Sequence, residues 1–179
     1  MSHWTEIVGK SFTADEFDAY CKAQQWGDWT PSFVAIHNTC FPDLAMRPHG
    51  FTAKHMDNIA AGYKQKNWTA GPHLFVDDHR IWVFTPLDKA GVHSPSWNKT
   101  ALGVEMLGDY SKDSFNSGRG LAVRRNAVRA VASLSRRLGL SPDAIRFHKE
   151  DKASTHDDCP GKNVKKEEFV AEVRAAIAA

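Results

Sequence analysis

Phe33-Val34-Ala35-Ile36-His37-Asn38-Thr39 is the stretch from which the fold is read. Its apolar run is too short for a helix and is bounded by Pro31 before and by polar Asn38-Thr39 after. That is the signature of a short buried strand. His37 ends it, where a side chain can leave the core and face a cleft. A second apolar strand is predicted over Leu102 to Leu107. It is entered from the loop around Asn98 and left at Gly108.

Outward from these strands, the pattern alternates between short extended runs and helices. His73 to Val76 and Ile81 to Thr85 predict a hairpin turned by Asp77-Asp78-His79-Arg80. The first helix spans about 13–24. Thr13 and Glu16 form a capping box, Phe12 staples onto Phe17, and Phe17, Tyr20 and Cys21 share a face. A second helix covers about Thr52 to Lys66, with Met56, Ile59, Ala60 and Tyr63 inward. A third covers about Leu121 to Leu138, packs through Val128, Val131, Leu134 and Leu138, and ends at Gly139. Ser141-Pro142 opens a short helical turn before Phe147-His148. The last helix, about 163–178, buries Phe169, Val170, Val173 and Ile177. Interleaved strands and helices predict an α/β class with one central sheet.

The chain has 179 residues, 42% hydrophobic and 25% charged, which suits one domain over 1–179 with a core that needs no disulfide staples. Its net charge of +2 is too weak to argue for nucleic acid and is compatible with an anionic polymer. The start, Met-Ser-His-Trp-Thr-Glu, shows no basic segment followed by an apolar one, and no stretch approaches a bilayer span. The expectation is a chain made in the cytoplasm, without membrane insertion, and monomeric. Cys21, Cys40 and Cys159 form an odd set, which argues for burial or metal ligation rather than a disulfide framework.

Nine histidines are more than any one site needs. His37 and His148 each end an apolar run. Cys159 follows His148 by 11 residues inside Asp158-Cys159-Pro160-Gly161, a tight turn that can fold the loop back. Two imidazoles and a thiolate are suitable zinc donors, and three protein ligands leave a position open for chemistry. Their spacing matches no local zinc pattern, so from spacing alone each reads first as a polar residue satisfied at a strand end or in a turn. Glu105 interrupts the nearly continuous apolar run Ala101 to Gly108. A carboxylate there is costly to bury unless paired, near a metal or neutral, and a raised pKa suits a general base. The bland alternative is an edge-strand glutamate facing solvent.

These residues, in their order, resemble a known family. Phe33 to Thr39, Gly71-Pro72-His73-Leu74-Phe75-Val76, Leu102-Gly103-Val104-Glu105, His148 and Cys159-Pro160-Gly161 are similar to the N-acetylmuramoyl-L-alanine amidases that share a fold with peptidoglycan-recognition proteins. The resemblance covers roughly residues 30–165. It implies a single domain with a central mixed β-sheet flanked by helices and a zinc site in a surface groove. It implies Zn2+ held by His37, His148 and Cys159, and peptidoglycan or a muropeptide as substrate. The implied reaction is hydrolysis of the amide between N-acetylmuramic acid and L-alanine, as in an endolysin.

The resemblance also assigns roles. Pro72 stands where some members carry a catalytic Tyr, so Glu105 is the implied base. Asp157 stands two residues before Cys159, where many members carry a Lys that meets the oxyanion. His156 is the favoured replacement, ahead of Lys152 or the metal alone. His93, Trp97 and Asn98 are expected to bind substrate, Trp97 by sugar stacking, with a partly buried core residue as its equal alternative. His73 is open between groove and structure. His49, His55 and His79 are assigned nothing, Cys21 is packing, and Cys40 is a rival ligand of poor spacing. Three alternatives stand beside the lytic amidase: a non-catalytic peptidoglycan-binding module, which Asp157 favours; a cytoplasmic amidase that recycles muropeptides; and a structural zinc protein, its site closed by a fourth ligand among His156, Asp157 and Asp158.

Overall fold

A computed structural model describes residues 3–179. The first two residues of the start read above lie outside the described residues. Six strands form one mixed sheet: β1 (Lys10–Phe12), β2 (Phe33–Asn38), β3 (Leu74–Val76), β4 (Ile81–Val83), β5 (Ala101–Met106) and β6 (Arg146–Phe147). Their order across the sheet is β1-β4-β3-β5-β2-β6. β1, β4 and β3 pair antiparallel, whereas β3, β5, β2 and β6 run parallel. The α/β class, the single domain and the mixed sheet agree with the sequence-based expectation.

Four helices cover the sheet: α1 (Ala14–Ala23), α2 (Ala53–Gln65), α3 (Gly118–Leu138) and α4 (Lys166–Ala178). The α1 capping box forms, with the Glu16 N–H donating to Thr13 Oγ1 and the Thr13 N–H donating to Glu16 Oε2. Phe12 and Phe17 meet with ring centres 6.4 Å apart, as the staple requires. α2 has its own capping box, in which His55 Nδ1 accepts the Thr52 N–H at 3.1 Å. His55, unassigned from sequence, is thus a cap. α3 ends at Gly139 with φ +66°, a left-handed conformation that favours glycine.

Alternation along the strands splits the core. Val34, Ile36, Leu102, Val104, Leu74 and Val76 occupy one set of positions and are buried with the apolar faces of α1, α3 and α4. Ala35, His37, Gly103, Glu105 and Phe75 occupy the other. On that second face α2 closes part of the sheet, through Tyr63 on Phe84 and the preceding Phe51 on Phe75. The rest of that face stays open as a groove.

One strand and two helix starts are among the differences from the sequence pattern. β1 has no signal of its own, because three residues are too few to show alternation; only pairing with β4 makes it a strand. α3 begins at Gly118, ahead of its first apolar residue. α4 begins at Lys166, because the stretch before it is held elsewhere. Asn163 donates its backbone N–H to Tyr110 O and its side-chain amide to Asp113 O, both at 2.9 Å.

Candidate metal centre and active-site groove

β2, β5 and β6 are parallel, so their C-terminal ends lie along one edge of the sheet. Open α/β sheets place their ligand sites at such edges, because the strand ends leave side chains and loops without a covering layer. His37 lies near the end of β2, Glu105 near the end of β5, and His148 directly follows β6. The Cys159 turn is drawn to the same place. The Lys149 N–H donates to Cys159 O at 3.0 Å, and the Asn38 N–H approaches Cys159 Sγ at 3.5 Å.

The result is a group in which one ligand atom each of His37, His148 and Cys159 lie within 4.8 Å of one another. The His37 and His148 ring centres are 4.3 Å apart. Cys40 lines the same groove but is not part of this group. Glu105 is the direct register partner of His37 on the adjacent strand. The groove has a volume of about 400 Å³ and brings together His37, Glu105, His148, His156 and Cys159.

The hydrogen bonds fix which ring nitrogens are free. His93 Nε2 lies 3.1 Å from Ala101 O, an acceptor only, so Nε2 carries the proton and Nδ1 accepts. His93 Nδ1 in turn lies 3.0 Å from His37 Nε2, which must therefore donate. This relay leaves the lone pair of His37 on Nδ1. Hydrogen bonding at the far nitrogen is the usual way a metal-binding imidazole is oriented. His148 Nε2 is engaged at 2.9 Å by Ser154 Oγ. Gly103 makes room for the relay, since a Cβ on it would lie 2.5 Å from His93 Cγ.

Electrostatics match a site built for a cation. Burial, then the neighbouring His93, His148 and His156, holds His37 well below the usual imidazole range. Burial likewise brings His148 down to about 4 and His93 down to about 3. Both candidate ligand rings therefore stay neutral with lone pairs available. Burial, then Glu105, pushes the Cys159 thiol up, so its thiolate needs a positive charge beside it. Burial alone pushes Glu105 up to about 8. Two neutral imidazoles and a thiol around one point, with a buried carboxyl lining the same groove, fit Zn2+, whose charge would offset these penalties.

The remaining expected residues fall in different places. His156 is exposed on the groove wall, with its ring centre 5.0 Å from that of His148. Asp157 lines the groove beside it, and Lys152 does not line it. His93 lines the groove and is 9% exposed, with its Nδ1 turned onto His37. Trp97 is not at the rim: it is 7% exposed, packed edge-on against Phe33 and under the Arg146 guanidinium. Asn98 Oδ1 accepts the His93 and Ser94 N–H groups at 2.7 and 2.8 Å and shapes the loop. Neither Trp97 nor Asn98 is among the residues that line the groove. His73 is structural, donating from Nε2 to Lys89 O and accepting the Gly103 N–H on Nδ1.

Two aromatic groove residues escape the sequence reading. Tyr63 reads as core on the apolar face of α2, yet it lines the groove beside Glu105. Trp68, past the end of α2, stacks on Tyr63 at 4.7 Å and is 37% exposed. A large aromatic just after a helix is the one signal the sequence offers for it.

The profile of the family described as N-acetylmuramoyl-L-alanine amidase matches residues 27–162, most of the chain. The protein belongs to the N-acetylmuramoyl-L-alanine amidase family. Solved structures agree on the fold. The endolysin N-acetylmuramoyl-L-alanine amidase LysCS from Clostridium intestinale is 20% identical, with a TM-score of 0.64 over 84% of this chain and 91% of that one. The PlyG catalytic domain is 20% identical, with a TM-score of 0.62 over 84% and 85%. Drosophila PGRP-LB, as a point mutant in complex with tracheal cytotoxin, is 16% identical, with a TM-score of 0.61 over 82% and 84%. No curated protein matches the sequence. Among the described residues no helix is long and apolar enough to cross a membrane.

Proposed function

We propose that the protein hydrolyses the amide joining N-acetylmuramic acid to L-alanine in peptidoglycan, using zinc held by His37, His148 and Cys159. The observation that carries this reading is the convergence of those three donors on one groove beside a buried Glu105. Family membership supplies the substrate.

Zinc, when bound, supplies a Lewis acid that polarises the scissile carbonyl and makes water at the site more acidic. Glu105 takes the proton from the attacking water and returns it to the alanine amine as the bond breaks. Burial raises its pKa, and zinc beside it would keep enough of it ionised to accept that proton. His93 holds His37 in the productive tautomer through the relay to Ala101. His156, on the groove wall, donates to the oxyanion in place of the Lys displaced by Asp157. Trp68, stacked on Tyr63, offers the groove an exposed aromatic face for the sugar.

Asp157 favours a second reading, a non-catalytic peptidoglycan-binding module, since an anion in the groove cannot stabilise an oxyanion. The test is to incubate the protein with intact peptidoglycan and with soluble muropeptides, with and without a zinc chelator, and to identify the products by mass spectrometry. Stem peptides with a free N-terminal alanine, lost on chelation and restored by zinc, support the amidase. Binding without release supports the module. Release from soluble fragments but not from walls supports a recycling role over a lytic one.

A further inference from the structure

Two shallow hollows of about 290 and 310 Å³ meet at Lys165, in the segment that leads from Cys159 to α4. Lys149, Lys162, Lys165 and Lys166 line the first, and Lys112 and Lys165 the second; Glu167 is the one acidic residue lining either. Lys112 is held by Asp109 and Lys166 by Glu150. Lys149, Lys162 and Lys165 are exposed and form no ion pair among the described residues. Lys165 instead donates to the Lys162 carbonyl at 3.0 Å. The whole chain carries a net charge of only +2, so these lysines gather in one place a positive charge that the rest of the molecule balances. The groove wall nearby has the opposite sign, since Asp157 and Asp158 line it. A polyanion is drawn to the lysines and turned away from that wall.

The patch is fixed to the groove by backbone. Lys149 directly follows His148, and its N–H donates to Cys159 O at 3.0 Å. Each exposed lysine is worth less than about fivefold in affinity, so a chain of repeated charges that engages several at once is a better occupant than a single small anion. No arginine lines either hollow, and lysine meets a phosphate as a point charge. The exposed large apolar side chains, Phe41, Met46 and Trp68, line neither hollow, so the patch lacks the groups that enter a lipid surface. Phe115 and Phe147, which do line them, are buried and offer no face on which a nucleic-acid base stacks.

We propose that this lysine patch docks a phosphodiester-linked anionic polymer of the cell wall and so holds the protein on the wall with its groove alongside. The proposal goes beyond the amidase reading and shares with it only the wall as the place of action.

The test reads binding to immobilised poly(glycerol phosphate), which contains no amide to cut, and cosedimentation on ice with intact walls and with walls stripped of phosphodiester polymer. The wild type is expected to bind the polymer and the intact walls, and to release as salt rises. The double variant Lys162→Gln, Lys165→Gln is expected to bind about tenfold more weakly, with an unchanged melting temperature and unchanged cutting of soluble muramyl peptides. A control pair, Lys10→Gln with Lys54→Gln, removes two exposed charges from β1 and α2, outside both hollows. It is expected to bind within about twofold of the wild type, as a loss of overall charge alone predicts. Equal binding by the double variant and the wild type, or an equal loss in the control pair, overturns the patch. Equal binding to stripped walls overturns the polymer. So does competition by inorganic phosphate at matched charge, or a preference for DNA or for phosphatidylglycerol vesicles. Binding is read without turnover, so a wild type that cuts no muramyl peptide counts against the amidase reading alone.

Discussion

His37 and Glu105 are register partners on adjacent parallel strands, so a candidate metal ligand and a buried carboxyl rise side by side from one face of the sheet. Backbone pairing, rather than a loop, sets their separation. Neither can shift by one residue without turning its whole strand over. Sites built on such elements are held more tightly than sites on loops.

This pairing makes Glu105 a source of instability in the metal-free protein. Burial raises its pKa from 4.5 to about 8. Between those values the folded chain holds a proton that the unfolded chain has released. The contribution is therefore complete below pH 4.5 and is lost as pH rises through about 8. Without metal, Glu105→Gln should melt higher than the wild type, by a margin that widens across that window. Zinc should narrow the margin, since a nearby cation favours the carboxylate. With zinc, the same variant should retain the metal and lose about 10²–10⁴-fold in turnover. Near-normal turnover would remove Glu105 from the mechanism.

His93 should control metal affinity rather than substrate affinity. Replacing it by Phe breaks the relay and leaves the His37 Nε2–H without its acceptor. Zinc affinity, measured against a competing chelator, should fall about 10–100-fold, with activity recovered in excess zinc. Unchanged affinity would show that the relay does not orient His37.

Two glycines should respond oppositely to alanine. Gly103→Ala drives a Cβ into the His93 ring and should cost about 1–3 kcal/mol while weakening zinc binding. Gly62, inside α2, has nothing within 4 Å of where a Cβ would stand, so Gly62→Ala should stabilise by about 0.5–1 kcal/mol. Denaturant unfolding of the two variants checks both signs.

Asp151 should set an acid limit on the groove. Burial alone would raise its pKa, but hydrogen bonds from Ser94, Ser96 and Ala153 outweigh that and hold it down to about 2. Its contribution is present above the unfolded value of 3.8 and is lost as pH falls toward about 2. Because it ties the loop after His93 to the turn after His148, thermal stability should fall with this loss. Asp151→Asn should show weakened zinc binding already at neutral pH.

Zinc itself should stabilise the fold, because its donors come from β2, the turn after β6 and the Cys159 loop. Saturation at 100 times Kd corresponds to about 2.7 kcal/mol, visible as a rise in melting temperature that a chelator reverses. A melting temperature indifferent to zinc would count against the metal site.

The sequence by itself determined the class, the strands β2 and β5, the caps of α1 and α3, and the buried Glu105. Each is local: a periodicity, a capping residue or a carboxyl among apolar neighbours is visible within one short window. The ordered motifs around His37, Glu105, His148 and Cys159 also carried the family. What the window could not contain was decided by the tertiary structure. Trp97 and Asn98 read as a groove rim, but the fold of their loop turns them inward onto Phe33 and His93. Tyr63 reads as core, but the sheet face beneath α2 is only partly covered, which leaves it on the groove. β1 exists only because β4 offers it an edge. The proton positions on His37 and His93 depend on contacts 56 residues apart in sequence. Side-chain direction and hydrogen-bond partners at such separations follow from packing, and no local pattern records them.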